Sequence, residues 1–189
     1  MTATSSALTR GDRAALAAIA SELGTLRLGG GSAVDIALPA ISQLVGVGGM
    51  MVYNTAVRGG VRVVERWQSD MRERDTLHAL SSRAFAAEVI AEADASEIEL
   101  PTTIRSILPA GAAPNRVIEA IAWVERGRPG TWQASSFCRD VFAPLGMHRH
   151  KQYRALVCEG RSLLAWFGTI TEDTLDPRRV RILQALVPF

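Results

Sequence analysis

Two glycine-interrupted runs of strand-forming residues do most to limit what this chain can fold into. The first is MMVYNTAVRGGVRVVERWQ, with runs 50–57 and 61–68 on either side of Arg58-Gly59-Gly60. β-Branched and aromatic residues suit a pleated, half-buried surface, and glycine at a short connection between two such runs marks a hairpin. The second is KQYRALVCEGRSLLAWFG, broken at Glu159-Gly160. If those two residues form its whole loop, Cys158 faces Arg161, Leu156 faces Leu163, and Tyr153 faces Trp166. Tyr153, Ala155, Val157, Leu164 and Trp166 then share an apolar face. Gln152, Arg154, Leu156, Arg161, Leu163 and Phe167 share a mixed one, as expected of a sheet covered on one side and lining a pocket or second layer on the other.

Helical patterns surround the hairpins. Thr9 and Asp12 form a capping box with Asp in place of Glu. Leu16, Ile19, Ala20 and Leu23 then recur at helical spacing, which predicts a helix over roughly 10–24. Ser32 and Asp35 signal a second helix with Leu38, Ile41, Leu44 and Val45 as its buried stripe, and Pro39 inside it. Residues 72–93 lack Gly and Pro and read as helix, with Leu77, Leu80, Ala84 and Ala87 toward the core. Residues 115–126 read as another helix, with Val117, Ile118, Ile121 and Val124 apolar. Residues 135–143 read as a short helix closed by Pro144 and Gly146. Asp176-Pro177 is a helix start, an N-cap residue followed by proline at the first helical position, and Val180, Leu183, Leu186 and Val187 follow as a stripe. Antiparallel hairpins with helices gathered around them predict one α+β domain over residues 1–189.

The 189 residues suffice for a sizeable core. The net charge of +2 lacks the strongly basic balance of a self-sufficient nucleic-acid binder. No apolar run approaches the ~20 residues that span a bilayer, and the N-terminus lacks a secretory pattern. Two cysteines make no disulfide framework, so the expected location is cytoplasmic.

Three stretches carry a family resemblance. LTRGDRAALAAIASELGTL followed by AISQLVGVGGMMVYNTAV resembles the opening of GAF-like sensory domains in LuxR-type helix-turn-helix transcriptional regulators. FCRDVFAPLGMHRHKQYRALVCEGRSLLAWFG resembles their later part, and LDPRRVRILQALVPF their closing helix. The likeness covers about two-thirds of the chain and is weakest between 70 and 130. It implies a GAF/PAS-like antiparallel sheet of five to six strands flanked by helices, acting as a bacterial signal-input and dimerisation domain. In such regulators a helix-turn-helix segment follows; this sequence stops at Phe189, so DNA binding is carried over to no residue here.

The resemblance places a ligand pocket between the sheet and its connecting helices. Tyr53, Trp67, Trp123, Trp132 and Phe167 are therefore the candidate ligand-binding residues; the plainer reading makes each of them core. The expected partners are an unidentified small molecule and a second copy of the chain, with no membrane. The first and last helices, whose apolar stripes lie near the chain ends, are the expected dimer contacts. The chain lacks a G-x-S-x-G elbow, a P-loop and an H-E-x-x-H, so it is not expected to be an enzyme and no cofactor is called for. The alternatives are a small enzyme with an unrecognised site and a scaffold module.

Other polar features read blandly. Gly29-Gly30-Gly31-Ser32 is a loop rather than an anion cradle. Asp70, Glu73 and Asp75 read as a solvated helix start. On a strand, His148 and His150 project to one side, but Cys158 would lie about 26 Å further on at ~3.3 Å per residue, so the three cannot meet. Arg149, Lys151 and Arg154 read as the charged entry to a strand. Cys138, beside Arg139, would be activated only if exposed.

Overall fold

A computed structural model describes residues 7–26, 33–58, 61–72, 115–126, 129–135, 138–159 and 162–187. The expected helix over 72–93, the Gly29–Ser32 loop, Glu73 and Asp75 lie outside the described residues. The described elements are α1 (Arg10–Leu26), α2 (Ala33–Val45), β1 (Met51–Arg58), β2 (Val61–Ser69), β3 (Val117–Glu119), α3 (Ala120–Glu125), α4 (Thr131–Ala134), a π-helical turn (Cys138–Phe142), β4 (Lys151–Glu159), β5 (Ser162–Thr171) and α5 (Pro177–Leu186).

The strands form one five-stranded sheet in the order β2-β1-β5-β4-β3. Each neighbouring pair is antiparallel. With helices packed against it, the architecture is α+β. Both expected hairpins are present. Arg58 pairs with Val61, so Arg58 belongs to β1, and the register slips once between Asn54 and Thr55.

The second hairpin corrects the expected register. Glu159 pairs with Ser162, so Glu159 belongs to β4 and is not a loop residue. A bulge also falls between Val157 and Cys158, whose partners are Ala165 and Leu163. The two changes move β5 by three positions: Leu156 faces Trp166 instead of Leu163, and Tyr153 faces Thr169 instead of Trp166. An odd shift moves every residue to the other face. Phe167 therefore joins Tyr153 and Ala155, and position 166 joins Leu156.

The pleat divides the interior in two. Tyr153 lies in a core with Leu16 and Ile19 of α1, Leu38, Ile41 and Val45 of α2, and Ile182, Leu183 and Leu186 of α5; Phe167 packs against it. Leu156, Met51, Ile118 and Ile170 lie in a second core with Trp132, Val141, Phe142 and Met147. The sheet is thus the middle of three layers, with α1, α2 and α5 on one side and the 120–147 segment on the other.

Local chemistry explains the element ends. The capping box closes reciprocally: Thr9 N–H donates to Asp12 Oδ2 at 2.8 Å, and Asp12 N–H donates to Thr9 Oγ1 at 3.1 Å. Asp12 is buried and also bonds Arg178 of α5, whose Nε donates to Asp12 Oδ2 at 3.0 Å. At the start of α5, Asp176 Oδ1 accepts from Arg179 N–H at 2.9 Å, with Pro177 next in the chain. Leu16 and Ile19 of the α1 stripe, and Leu183, Leu186 and Val187 of the closing stripe, are buried within the chain.

Residues 115–126 are not one helix. Val117–Glu119 form an edge strand on β4, and only Ala120–Glu125 are helical. Asn115, with φ 57°, breaks the chain before the strand. Val117 and Ile118 are β-branched and meet a strand edge there, and that contact outweighs their helical spacing. Asp70 is likewise no solvated helix start. It is half-buried and accepts from Ser42 Oγ at 2.7 Å and Met50 N–H at 2.5 Å, so it ties α2 to the first hairpin.

Candidate functional site

The candidate site is the sheet face that meets the 120–147 segment. Glu119 begins that segment: its carboxylate accepts from Ile121 N–H at 3.3 Å and Ala122 N–H at 2.7 Å, capping α3. It also accepts from the Gln152 backbone N–H at 3.2 Å, which fastens α3 to β4. The short α4 carries Trp132. The expected helix over 135–143 is instead a π-helical turn, in which Ala143 N–H reaches Cys138 O at 2.8 Å.

That turn ends as its sequence suggests. Gly146 takes φ 72°, Gly146 N–H bonds Ala143 O, and Met147 N–H bonds Phe142 O at 2.9 Å. This is a Schellman arrangement, and it needs a residue at ease with positive φ. It turns Val141, Phe142 and Met147 inward. Trp132 and Phe142 meet edge to face with centroids 5.3 Å apart, and Trp132 Nε1 donates to His148 O at 3.2 Å.

The five aromatic candidates are not all brought together. Trp132 is buried in the second core, and Trp123 is half-buried against it with the Arg126 guanidinium 4.2 Å above its ring. Phe167 packs on the opposite face, against the core of α1, α2 and α5, and is separated from both tryptophans by the sheet. The side chains of Tyr53 and Trp67 lie outside the described ones. Their backbone positions are opposite one another, and Tyr53 is also opposite Trp166, which faces Leu156. Positions 67, 53, 166 and 156 thus form one row across the sheet.

The polar readings change more. His148 and His150 sit in a turn before β4, not on a strand, and His150 Nε2 lies 3.8 Å from Glu172. Among the described residues no three His, Cys, Asp or Glu side chains gather as a metal site. Cys138 is buried, and burial pushes its thiol pKa up, with Glu125 adding to the rise. Arg139 pairs with Asp140 at 2.8 Å and does not activate the thiol.

Arg154 is the largest departure. Expected at a charged strand entry, it is 1% exposed. Its Nη2 donates to Gln152 Oε1 at 2.6 Å, and its Nη1 lies 3.5 Å from Met51 Sδ. Gln152 is also 1% exposed. Both project from β4 to the side of Leu156, since alternate residues share a face. Gly168 pairs with Arg154 on β5, between it and Met51 in the cross-sheet row. The mixed alternation of Gln152, Arg154 and Leu156 was the visible signal for this pair.

None of the described helices is long and apolar enough to cross a membrane. No family model, no curated protein and no solved structure matches the chain.

Proposed function

We propose that this chain is a GAF-like signal-input domain of a bacterial LuxR-type transcriptional regulator, a cytoplasmic homodimer that binds a small, mainly apolar ligand and performs no catalysis. The observation that carries the reading is the layered arrangement around β4 and β5. A five-stranded antiparallel sheet keeps one face for the helices α1, α2 and α5, and gives the other to a short-element segment with Trp123 and Trp132. Trp132, Val141 and Phe142 of that segment bury against the sheet face of Met51, Leu156 and Ile170, and a ligand taken up there would have to compete with that packing. The reading is also supported by the sequence resemblance of 8–26, 40–57, 137–168 and 175–189.

The mechanism is population shift. A ligand bound between the sheet and the 120–147 segment changes the domain only so far as it binds one arrangement of that segment better than another. The signal is read by a partner copy or an attached module.

Naphthalene and indole titrations, followed by tryptophan emission and thermal melting, test this. Saturable stabilisation without turnover supports the sensor reading, and loss of that stabilisation in Trp132→Leu locates the ligand. Turnover of a bound compound would replace the reading with an enzyme. A monomer by light scattering at high protein concentration would remove the dimer.

A further inference from the structure

We propose that Gln184, Asn115 and Glu119 form a side-chain seal along the β3 edge of the sheet, and that this seal keeps a second copy of the chain from adding a strand there. The inference goes beyond the sensor reading above and does not depend on it.

β3 ends the sheet, and it is much shorter than the strand it covers. Val117–Glu119 pair with Tyr153, Arg154 and Ala155, whereas β4 runs over Lys151–Glu159. An end strand presents backbone N–H and C=O groups that invite pairing with another chain. Here side chains take up such groups where the backbone ladder stops. At one end of β3 the Glu119 carboxylate accepts from Gln152 N–H at 3.2 Å. At the other, Leu156 N–H donates to Arg116 O at 2.9 Å, and Asn115 Oδ1 then accepts from Cys158 N–H at 2.8 Å. One side chain at each end thus carries the ladder of β4 past the limits of β3.

The outer side of β3 is met by α5. A strand residue turns its N–H and C=O to one side, and its neighbours turn theirs to the other. Arg116 faces β4, so Asn115 O and Val117 N–H face away from the sheet. Gln184 meets both: its Oε1 accepts from Val117 N–H at 3.0 Å, and its Nε2 donates to Asn115 O at 2.9 Å. Those are the two bonds that one residue of a parallel neighbouring strand would make. The orientation of the amide follows from chemistry, since a backbone N–H only donates and a carbonyl only accepts. Gln184 itself is exposed, while Ile182, Leu183 and Leu186 seat α5 in the core. Alanine at 184 would leave that packing in place and remove only the bonds to the edge. The seal also ties the state of the edge to the seat of α5.

A second copy is the occupant that an open edge would take. Antiparallel self-pairing about a two-fold axis at Val117 sets Val117 opposite itself and Arg116 opposite Ile118, with no like charges facing each other.

The test compares the intact chain with Gln184→Ala by sedimentation velocity over a range of concentrations and by amide hydrogen exchange in NMR. In the variant, Val117 N–H should exchange at least about fivefold faster in dilute solution, the factor expected for one ordinary hydrogen bond. On concentration, species larger than those of the wild type should appear. Adding Val117→Pro removes the outward donor that a new strand needs and spares the bonds to β4, so association should return to the wild-type level. Should that double variant not fold, Gln184→Glu decides. It keeps an acceptor for Val117 and sets a charge at the edge, so it should associate no more than wild type. The seal is overturned by an unchanged Val117 exchange rate, by no added association in Gln184→Ala, by association that survives the proline, or by Gln184→Glu associating as strongly as Gln184→Ala. The naphthalene and indole titrations are independent of these results, so the sensor reading stands or falls separately.

Discussion

Replacing Gly168 with alanine should damage the domain out of proportion to one methyl group. Gly168 sits in the middle of β5, paired with Arg154 of β4. A Cβ there would fall onto the carbonyl oxygen of Tyr153, far inside van der Waals contact, and would stand 3.2 Å from Arg154 Cα. Both are backbone atoms, so no side chain can swing aside, and the strands must separate locally. Overpacking of this kind costs about 1–3 kcal/mol. Losing one or two ladder hydrogen bonds adds roughly 1 kcal/mol each. The sum, about 2–5 kcal/mol, corresponds to a fall in Tm on the order of 10 °C for a chain of this size. Urea and thermal unfolding followed by circular dichroism measure it. Gly48 is the control, since nothing lies within 4 Å of its would-be Cβ. Gly48→Ala should change stability by no more than about 1 kcal/mol, on the stabilising side, through a less flexible unfolded chain. A Gly168→Ala protein within about 0.5 kcal/mol of wild type would refute the close approach of β4 and β5 and the register built on it.

Three further outcomes follow from the same packing. Arg178 and the Thr9 backbone hold the Asp12 carboxyl down to about 2. Its folded pKa lies below the unfolded value of about 3.9, so its contribution is complete above pH 4 and is lost as pH falls toward 2. Asp12→Asn should lower the melting temperature at pH 7 and flatten the melting profile across that acid window. Phe142→Ala should cost roughly 3–5 kcal/mol, read by denaturant unfolding, because Phe142 is 1% exposed and braces Trp132. Cys138 should react with a thiol reagent much more slowly in native than in denatured protein, since burial both blocks access and disfavours the thiolate; fast native labelling at Cys138 would contradict its place in the core.

Signals that act within a few residues were legible in the sequence. Thr9 with Asp12 and Asp176 with Pro177 announced helix starts, and each makes the bonds its spacing implied. Leu16 and Ile19 of α1, Leu38, Ile41 and Val45 of α2, and Leu183 and Leu186 of α5 reach one core. What escaped depended on distant partners. β3 is three residues long, and its strand state comes from the edge of β4, some 35 residues away, not from its own period. The second hairpin's faces hinged on one bulge, which no alternation pattern reveals. The charge of Arg154, beside Arg149 and Lys151, suggests a solvated strand entry, although its period places it with Leu156. The aromatic residues were legible as a class but not by side, so Phe167 was grouped with tryptophans that lie across the sheet from it.

The sheet order also governs when this domain can form. β1 lies between β2 and β5, so its second edge is filled by residues made more than a hundred positions later. Asp12 waits longer still for Arg178. During synthesis the first hairpin therefore emerges with an open strand edge and an uncovered apolar face. Non-local pairing of this kind is slow and exposes the chain to aggregation. Truncation anywhere before β5 should yield not a smaller domain but a sticky nascent chain, and expression should depend on chaperone supply more steeply than the finished domain's stability suggests.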